Sequence, residues 1–201
     1  MKTAVESFDD IDIKIIKAAE KEFAQRGFHE TVVSDIARRA NVGKGTVYRH
    51  FGSKENLFGI IVKKASDKLL DATKEKISSA EGAEEQLRMI AQAHYEIFQN
   101  SRELIKIVVY EGYQSVIESR PGFRDFIDRL VTETSRAVKD GVEAGEFRID
   151  EPLRVCRLFL GQLWSIVRAA ILFKEDDTEV RRNYDLAIDI FMRGLKKPGG
   201  I

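Results

Sequence analysis

Cysteine is nearly missing from this sequence. Cys156 stands alone among 201 residues, so no internal disulfide can form, and a reducing, cytoplasmic setting is the expectation. It sits in the apolar run LRVCRLFLG, where a lone thiol reads as a small buried hydrophobe. Histidine is almost as scarce. His29, His50 and His94 form no H-x-x-x-H pair and no C-x-x-C accompanies them, so neither a metal site nor a cofactor is expected. Nucleophile-elbow and phosphate-cradling glycine motifs are missing too. The G-K-G-T at 43–46 looks like the end of a phosphate loop without its upstream glycine or preceding strand, and an enzyme is not expected. No uninterrupted apolar run reaches the roughly 18–20 residues that cross a bilayer. The N-terminal MKTAVESFDD lacks an apolar stretch and a cleavage-like site, so neither export nor a membrane partner is expected.

Net charge is missing as well, with 33 basic and 33 acidic residues, but the charges are not evenly spread. Arg26, Arg38, Arg39, Lys44, Arg49 and Lys54 fall in one stretch against only Glu30 and Asp35, whereas Lys174–Asp189 is acid-rich. A basic module on a neutral body suits nucleic acid, although a solvated charged face gives the same pattern.

What is plentiful is helix-forming sequence with a 43% hydrophobic content, enough for a substantial core. Apolar residues recur at helical spacing in Asp9–Gln25, with Gly27 as a stop. Short helices are expected at Val33–Ala40 and Lys44–His50, and a long one at Lys54–Ser78 behind Ser53 as N-cap. Further helices are expected at Ala83–Gln99, Glu103–Ile117, Pro121–Ala144, Pro152–Lys174 and Thr178–Lys196, with Pro121 and Pro152 in first-turn positions. The fold class is all-α with about nine helices. A small N-terminal domain, 1–54, is expected to precede a larger helical one, 55–201.

The informative stretch is TVVSDIARRANVGKGTVYRHFGSKENLF, residues 31–58. Two short helices crossing steeply need a small residue at their approach, which Ala37 supplies, and apolar contacts from Ile36, Ala40, Val42 and Val47. The turn A-N-V-G needs a left-handed residue, for which Asn41 is the best choice after glycine. The second helix hides little besides Val47 and Phe51. It displays Lys44, Thr46, Tyr48, Arg49 and His50, a face of donors suited to phosphates and base edges.

This segment resembles the DNA-binding signature of the TetR (tetracycline-repressor) family. The resemblance rests on Thr31, Val33, Asp35-Ile36-Ala37, Ala40, Val42, Lys44-Gly45-Thr46, Tyr48, His50-Phe51, Ser53-Lys54-Glu55 and Leu57, and on the ending A-x-x-x-F-x-x-x-G-F of the preceding helix. It implies an N-terminal three-helix helix-turn-helix domain that binds double-stranded operator DNA, and a C-terminal helical domain for ligand binding and dimerisation. It also implies operator contacts from Lys44, Thr46, Tyr48, His50, Lys54 and Thr31, with Val33 and Ser34 at the same helix start. Gly45 would allow close approach to DNA, and Arg49 would make a contact particular to this chain. Three positions depart from the family pattern. Val32 replaces a Thr or Ser, Asn41 a glycine, and Gly43 a common serine, which removes potential phosphate-binding hydroxyls.

In such a family the C-terminal domain senses a small-molecule effector and forms a homodimer, so a ligand-released repressor of a pseudo-palindromic operator is expected. Pro152–Lys174 is apolar nearly all round and must be buried on more than one side. With the last helix it suggests a dimer surface at Leu158, Ile166, Tyr184, Ala187, Ile188 and Phe191. Candidates for contact with a lipophilic effector are His94, Tyr95, Phe98, Tyr110, Tyr113, Phe126, Phe159, Gln162, Leu163 and Trp164, most of which serve equally well as core.

Overall fold

The computed structural model describes residues 8–110 and 121–196; the side chains of Ile107, Tyr110 and residues 121–124 are not described. Eight helices are found among these residues: α1 (Asp10–Glu30), α2 (Val33–Ala40), α3 (Lys44–Phe51), α4 (Lys54–Ser79), α5 (Ala83–Tyr110), α6 (Pro121–Glu143), α7 (Pro152–Leu172) and α8 (Asp177–Leu195). The all-α expectation holds. The break expected between the Ala83–Gln99 and Glu103–Ile117 helices is present inside α5, where Ser101 leaves the helical conformation (φ −127°, ψ 20°). The part of the expected Glu103–Ile117 helix beyond Tyr110 lies outside the described residues.

The chain divides into two compact units, 1–67 with 101–124, and 68–100 with 125–201. In the first, α1 begins with a reciprocal cap: the Asp9 side chain accepts from the Asp12 amide, and the Asp12 side chain accepts from the Asp9 amide. Its inner stripe of Ile15, Ile16, Ala19 and Phe23 is buried together with Ile36, Ala37, Val47, Phe51 and Leu57. Gly27, with φ 78° and ψ 169°, breaks the helix and lets the chain turn toward α2. Phe28 then folds back on Phe23 and Phe58, with ring centroids 5.6 and 5.0 Å apart. Ser53 caps α4 as expected, its hydroxyl accepting from the Asn56 amide at 3.0 Å.

In the second unit α7 packs on α8. By length and composition α7 is sufficient to cross a membrane. Cys156, Phe159, Leu163, Val167, Ala170 and Ile171 bury one side of it inside the protomer. Burial pushes the Cys156 thiol up to about 11, in keeping with an inert core residue. The turn after α6 acts as a clasp. Glu146 accepts from the Ala83 and Glu84 amides at 3.2 and 3.4 Å, covering the start of α5. Phe147 pairs with Lys196 through an isolated bridge, and the Arg148 amide donates to the Leu195 carbonyl at 3.0 Å. Lys196 in turn meets the Glu84 carboxylate at 2.7 Å and, with Arg88, holds it below the ordinary carboxylate value.

Gly141 sits under this clasp, where an added Cβ would lie 2.3 Å from the Phe147 ring and 2.7 Å from the Ala83 Cβ. Gly141→Ala therefore destabilises the fold by about 1–3 kcal/mol despite its better helix propensity. A chemical melt of the variant measures this, and an unchanged or raised midpoint would show that the clasp yields.

Candidate nucleic-acid interface

The α2–turn–α3 segment is built as a helix-turn-helix must be. Asn41 adopts the left-handed conformation (φ 55°, ψ 47°), and its amide donates to the Ala37 and Arg38 carbonyls. The Val42 amide then donates to the Ala37 carbonyl at 3.0 Å, so α2 is closed without glycine. Neither Val32 nor Gly43 gives a side-chain cap, so α2 and α3 both start without a side-chain acceptor at the N-cap. α3 buries Val47 and Phe51 and turns Lys44, Gly45, Tyr48 and Arg49 outward, with Tyr48 44% exposed and Thr46 half-buried. Ser34 is also exposed, at the start of α2.

Ion pairing thins the basic patch. Arg26 meets Asp35 at 2.6 Å, Arg38 pairs with the other Asp35 oxygen, and Arg39 Nε donates to the buried Glu22 at 2.6 Å. Lys44 and Arg49 have no ion-pair partner among the described residues; Lys44 lies 5.8 Å from the centre of the Tyr48 ring. These two charges and Tyr48 are the part of the patch left available to a polyanion.

Four expected contact residues are occupied within the protein. Thr31 is fully buried, and its hydroxyl donates toward the Gly27 and Glu22 carbonyls at 2.7 and 3.1 Å. Val33 is core. Neither side chain can reach a phosphate without rearrangement, which corrects that expectation for the side chains. Lys54 donates to the Phe28, His29 and Thr31 carbonyls at 2.7, 3.2 and 2.9 Å and lies over the Phe28 ring. It neutralises the carbonyl end of α1 as a helix-dipole cation does. His50 Nδ1 donates to the buried Asp12 carboxylate at 2.7 Å. Asp9, Asp12 and His50 thereby bring ligand-type atoms within 4.8 Å of one another, an approach that the α1 cap and this bond account for. Sequence spacing gave no hint of Asp12, which lies 38 residues from its partner.

Among the described residues, the expected effector residues are spread over several settings. His94 Nδ1 shares a 2.6 Å hydrogen bond with the Tyr184 hydroxyl, and Tyr95 packs edge-on against Tyr184. Burial, with Tyr95 adding to it, pushes the Tyr184 hydroxyl far above its ordinary value. Arg181 covers the Tyr95 ring and donates to Gln92. An open depression of about 590 Å³ lies here, and Tyr95 is the member of the expected set that lines it, beside Arg181 and Asp185. Phe98, Phe159 and Leu163 are core, and Gln162 donates to the Ala187 carbonyl at 3.1 Å. Phe126 and Trp164 are half-buried. Tyr113, and the side chain of Tyr110, lie outside the described residues.

Of the expected dimer surface, Leu158 is exposed. Tyr184, Ala187 and Ile188 are buried within the protomer, so a partner cannot reach them, while Ile166 and Phe191 are half-buried. The outward faces carry Leu158, Leu172, Phe173, Leu186 and Ile190, with Phe173 76% exposed. The inward stripe of α8 is apolar at the same helical period, which is why sequence alone selected it.

A family model described as bacterial regulatory proteins, tetR family, matches residues 15–59. A second, described as a tetracyclin repressor-like C-terminal domain, matches residues 80–168. The Fatty acid metabolism regulator protein of Bacillus subtilis is 26% identical over 145 residues, covering 72% of this chain and 75% of its own length. The HTH-type transcriptional repressor KstR2 of Mycobacterium tuberculosis is 28% identical over 159 residues, covering 77% and 78%. FadR from Bacillus halodurans superposes with a TM-score of 0.83 at 22% identity, covering 96% of this chain and all of its own. FadR from Bacillus subtilis in complex with stearoyl-CoA gives 0.81 at 22%, covering 91% and 98%. Likeness at that identity establishes the fold. The chain belongs to the TetR family and is a DNA-binding regulator of transcription.

Burial lowers His94 to about 4 from its ordinary 6.5. Below pH 6.5 the unfolded chain takes up a proton there that the folded chain refuses until about pH 4. Stability therefore falls across that window by up to about 1.4 kcal/mol per pH unit from this group, and the group contributes nothing above it. Denaturant midpoints from pH 7 to 4 should fall less steeply in His94→Gln. Parallel profiles would mean that His94 is protonated in the fold.

Proposed function

We propose that the chain is a homodimeric repressor of a pseudo-palindromic operator, released when a long-chain acyl thioester binds its C-terminal unit. It acts by binding rather than catalysis, in the cytoplasm where its DNA lies. The observation that carries the DNA half is the exposed α3 face of Lys44, Tyr48 and Arg49, with Ser34 and Thr46 supplying hydroxyls at its edge. Thr31, Val33 and Lys54 hold that face in place.

Gly45 strengthens this reading. It is the second residue of α3, and its added Cβ would meet nothing within 4 Å, so packing within the protein does not require glycine there. Glycine in a helix costs up to about 1 kcal/mol against alanine. Close approach of a DNA backbone explains its presence.

Dimerisation is assigned to the outward faces of α7 and α8, where Leu158, Leu172, Leu186 and Ile190 are exposed. Gly161 shares that α7 face and again meets nothing within 4 Å, which allows two helices to cross closely. Two copies joined there present two recognition helices, as a palindrome requires.

The effector class rests on the relatives. One is named for fatty acid metabolism, and a structural neighbour was solved with stearoyl-CoA. The alternative is a steroid-type ligand, since a ketosteroid regulator also shares the fold with a TM-score of 0.73.

Three outcomes follow. Stearoyl-CoA at micromolar concentration raises the melting temperature and releases bound operator; release by a sterol thioester alone would favour the alternative, and release by neither would remove the lipophilic-effector reading. Gly45→Ala raises the melting temperature yet weakens operator binding at least tenfold; equal or tighter binding would show that DNA does not approach this helix closely. The pair Leu158→Glu and Ile190→Glu gives folded monomers in sedimentation, whereas a persistent dimer would place the interface elsewhere.

A further inference from the structure

Val47 and Phe51, the two side chains that α3 buries, stand four residues apart and so lie along one line of the helix. Packing along a line sets the depth of a helix but leaves it free to roll about that line. His50 is offset from Phe51 by about 100° around the axis. Its Nδ1 reaches Asp12 Oδ1 at 2.7 Å, a directional bond off the packing line. The carboxylate it meets is fully buried and is anchored in turn, since the other Asp12 oxygen accepts the Asp9 amide at 2.9 Å. A carboxylate accepts, so Nδ1 is the donor in this bond. The His50 side chain is only 12% exposed, which leaves little of it for DNA.

We propose that Asp12 is a positioning residue for DNA reading: through His50 it fixes the roll of α3, and hence the direction in which Lys44, Tyr48 and Arg49 face the groove. His50 serves the operator by orienting its neighbours rather than by holding a phosphate. The inference rests on α3 being the recognition helix.

The test uses the full chain and two duplexes, one recovered by selection from random sequence and one random, each titrated over a salt series. Asp12→Asn, His50→Gln and the double variant are compared with the parent chain. Each single variant loses tenfold or more of its affinity for the selected duplex and little for the random one. The double variant loses no more than the worse single, because both remove one bond. The slope of log affinity against log salt stays unchanged. In the free protein, an exchange-protected His50 ring N–H resonance is present in the parent chain and absent in Asp12→Asn.

A His50→Gln slope reduced by about one per subunit, with Asp12→Asn binding normally, would overturn the proposal and make His50 a phosphate contact. Additive losses, or equal losses on both duplexes, would overturn it as well. His50→Gln leaves the α1 cap intact and carries the same test if Asp12→Asn does not fold. A parent chain that prefers no duplex would instead refute α3 as the recognition helix, a separate failure.

Discussion

Helices of eight residues do not hold themselves together in water, because one or two turns of hydrogen bonds cannot offset the cost of nucleation. α2 and α3 are both of this length, and neither has a side-chain N-cap. Their existence depends on burying Ile36, Ala37, Val47 and Phe51 with the inner stripe of α1. Everything that keeps α1 in place therefore acts on the reading head. The Asp9–Asp12 cap fixes its start, Gly27 releases the chain toward α2, and Thr31 and Lys54 gather the carbonyls at its end. The side chains that hold the head and those that face outward are different, though they alternate within thirty residues.

Charge follows the same division. Arg26, Arg38 and Arg39 are spent within the protein on Asp35 and Glu22; the Arg26–Asp35 and Arg39–Glu22 pairs tie α1 to α2, while Arg38 pairs within α2. Exposed pairs of this kind add little stability singly, but Glu22 is almost fully buried and needs its guanidinium partner. On the proposed reading, the electrostatic attraction for DNA falls mainly to Lys44 and Arg49. A neutral chain can thus carry a basic reading face, since much of its basic charge is engaged in holding the fold.

Most of the architecture was legible from local pattern. Ser53 as a cap, Asn41 as the left-handed turn residue, and the prolines at the starts of α6 and α7 stand where the sequence indicated. Each of these depends on neighbours within four residues. What escaped the sequence depends on partners far along the chain: Asp12 with His50, Lys54 with the end of α1, His94 with Tyr184. The outer face of α8 escaped for another reason. Leu186 and Ile190 lie opposite a stronger apolar stripe, and periodicity finds the stronger one. Gly45 was legible only through family resemblance, and the structure adds that nothing inside the protein requires it.

On the proposed reading, a symmetric pair of α3 helices reads duplex DNA. Selection of bound sequences from a random duplex pool, followed by a salt titration of the winner, tests it most directly. The expected result is a two-fold-symmetric consensus with half-site centres about one helical turn apart, bound with an affinity that falls steeply as salt rises. A pool that yields no consensus, or binding indifferent to salt, would contradict it.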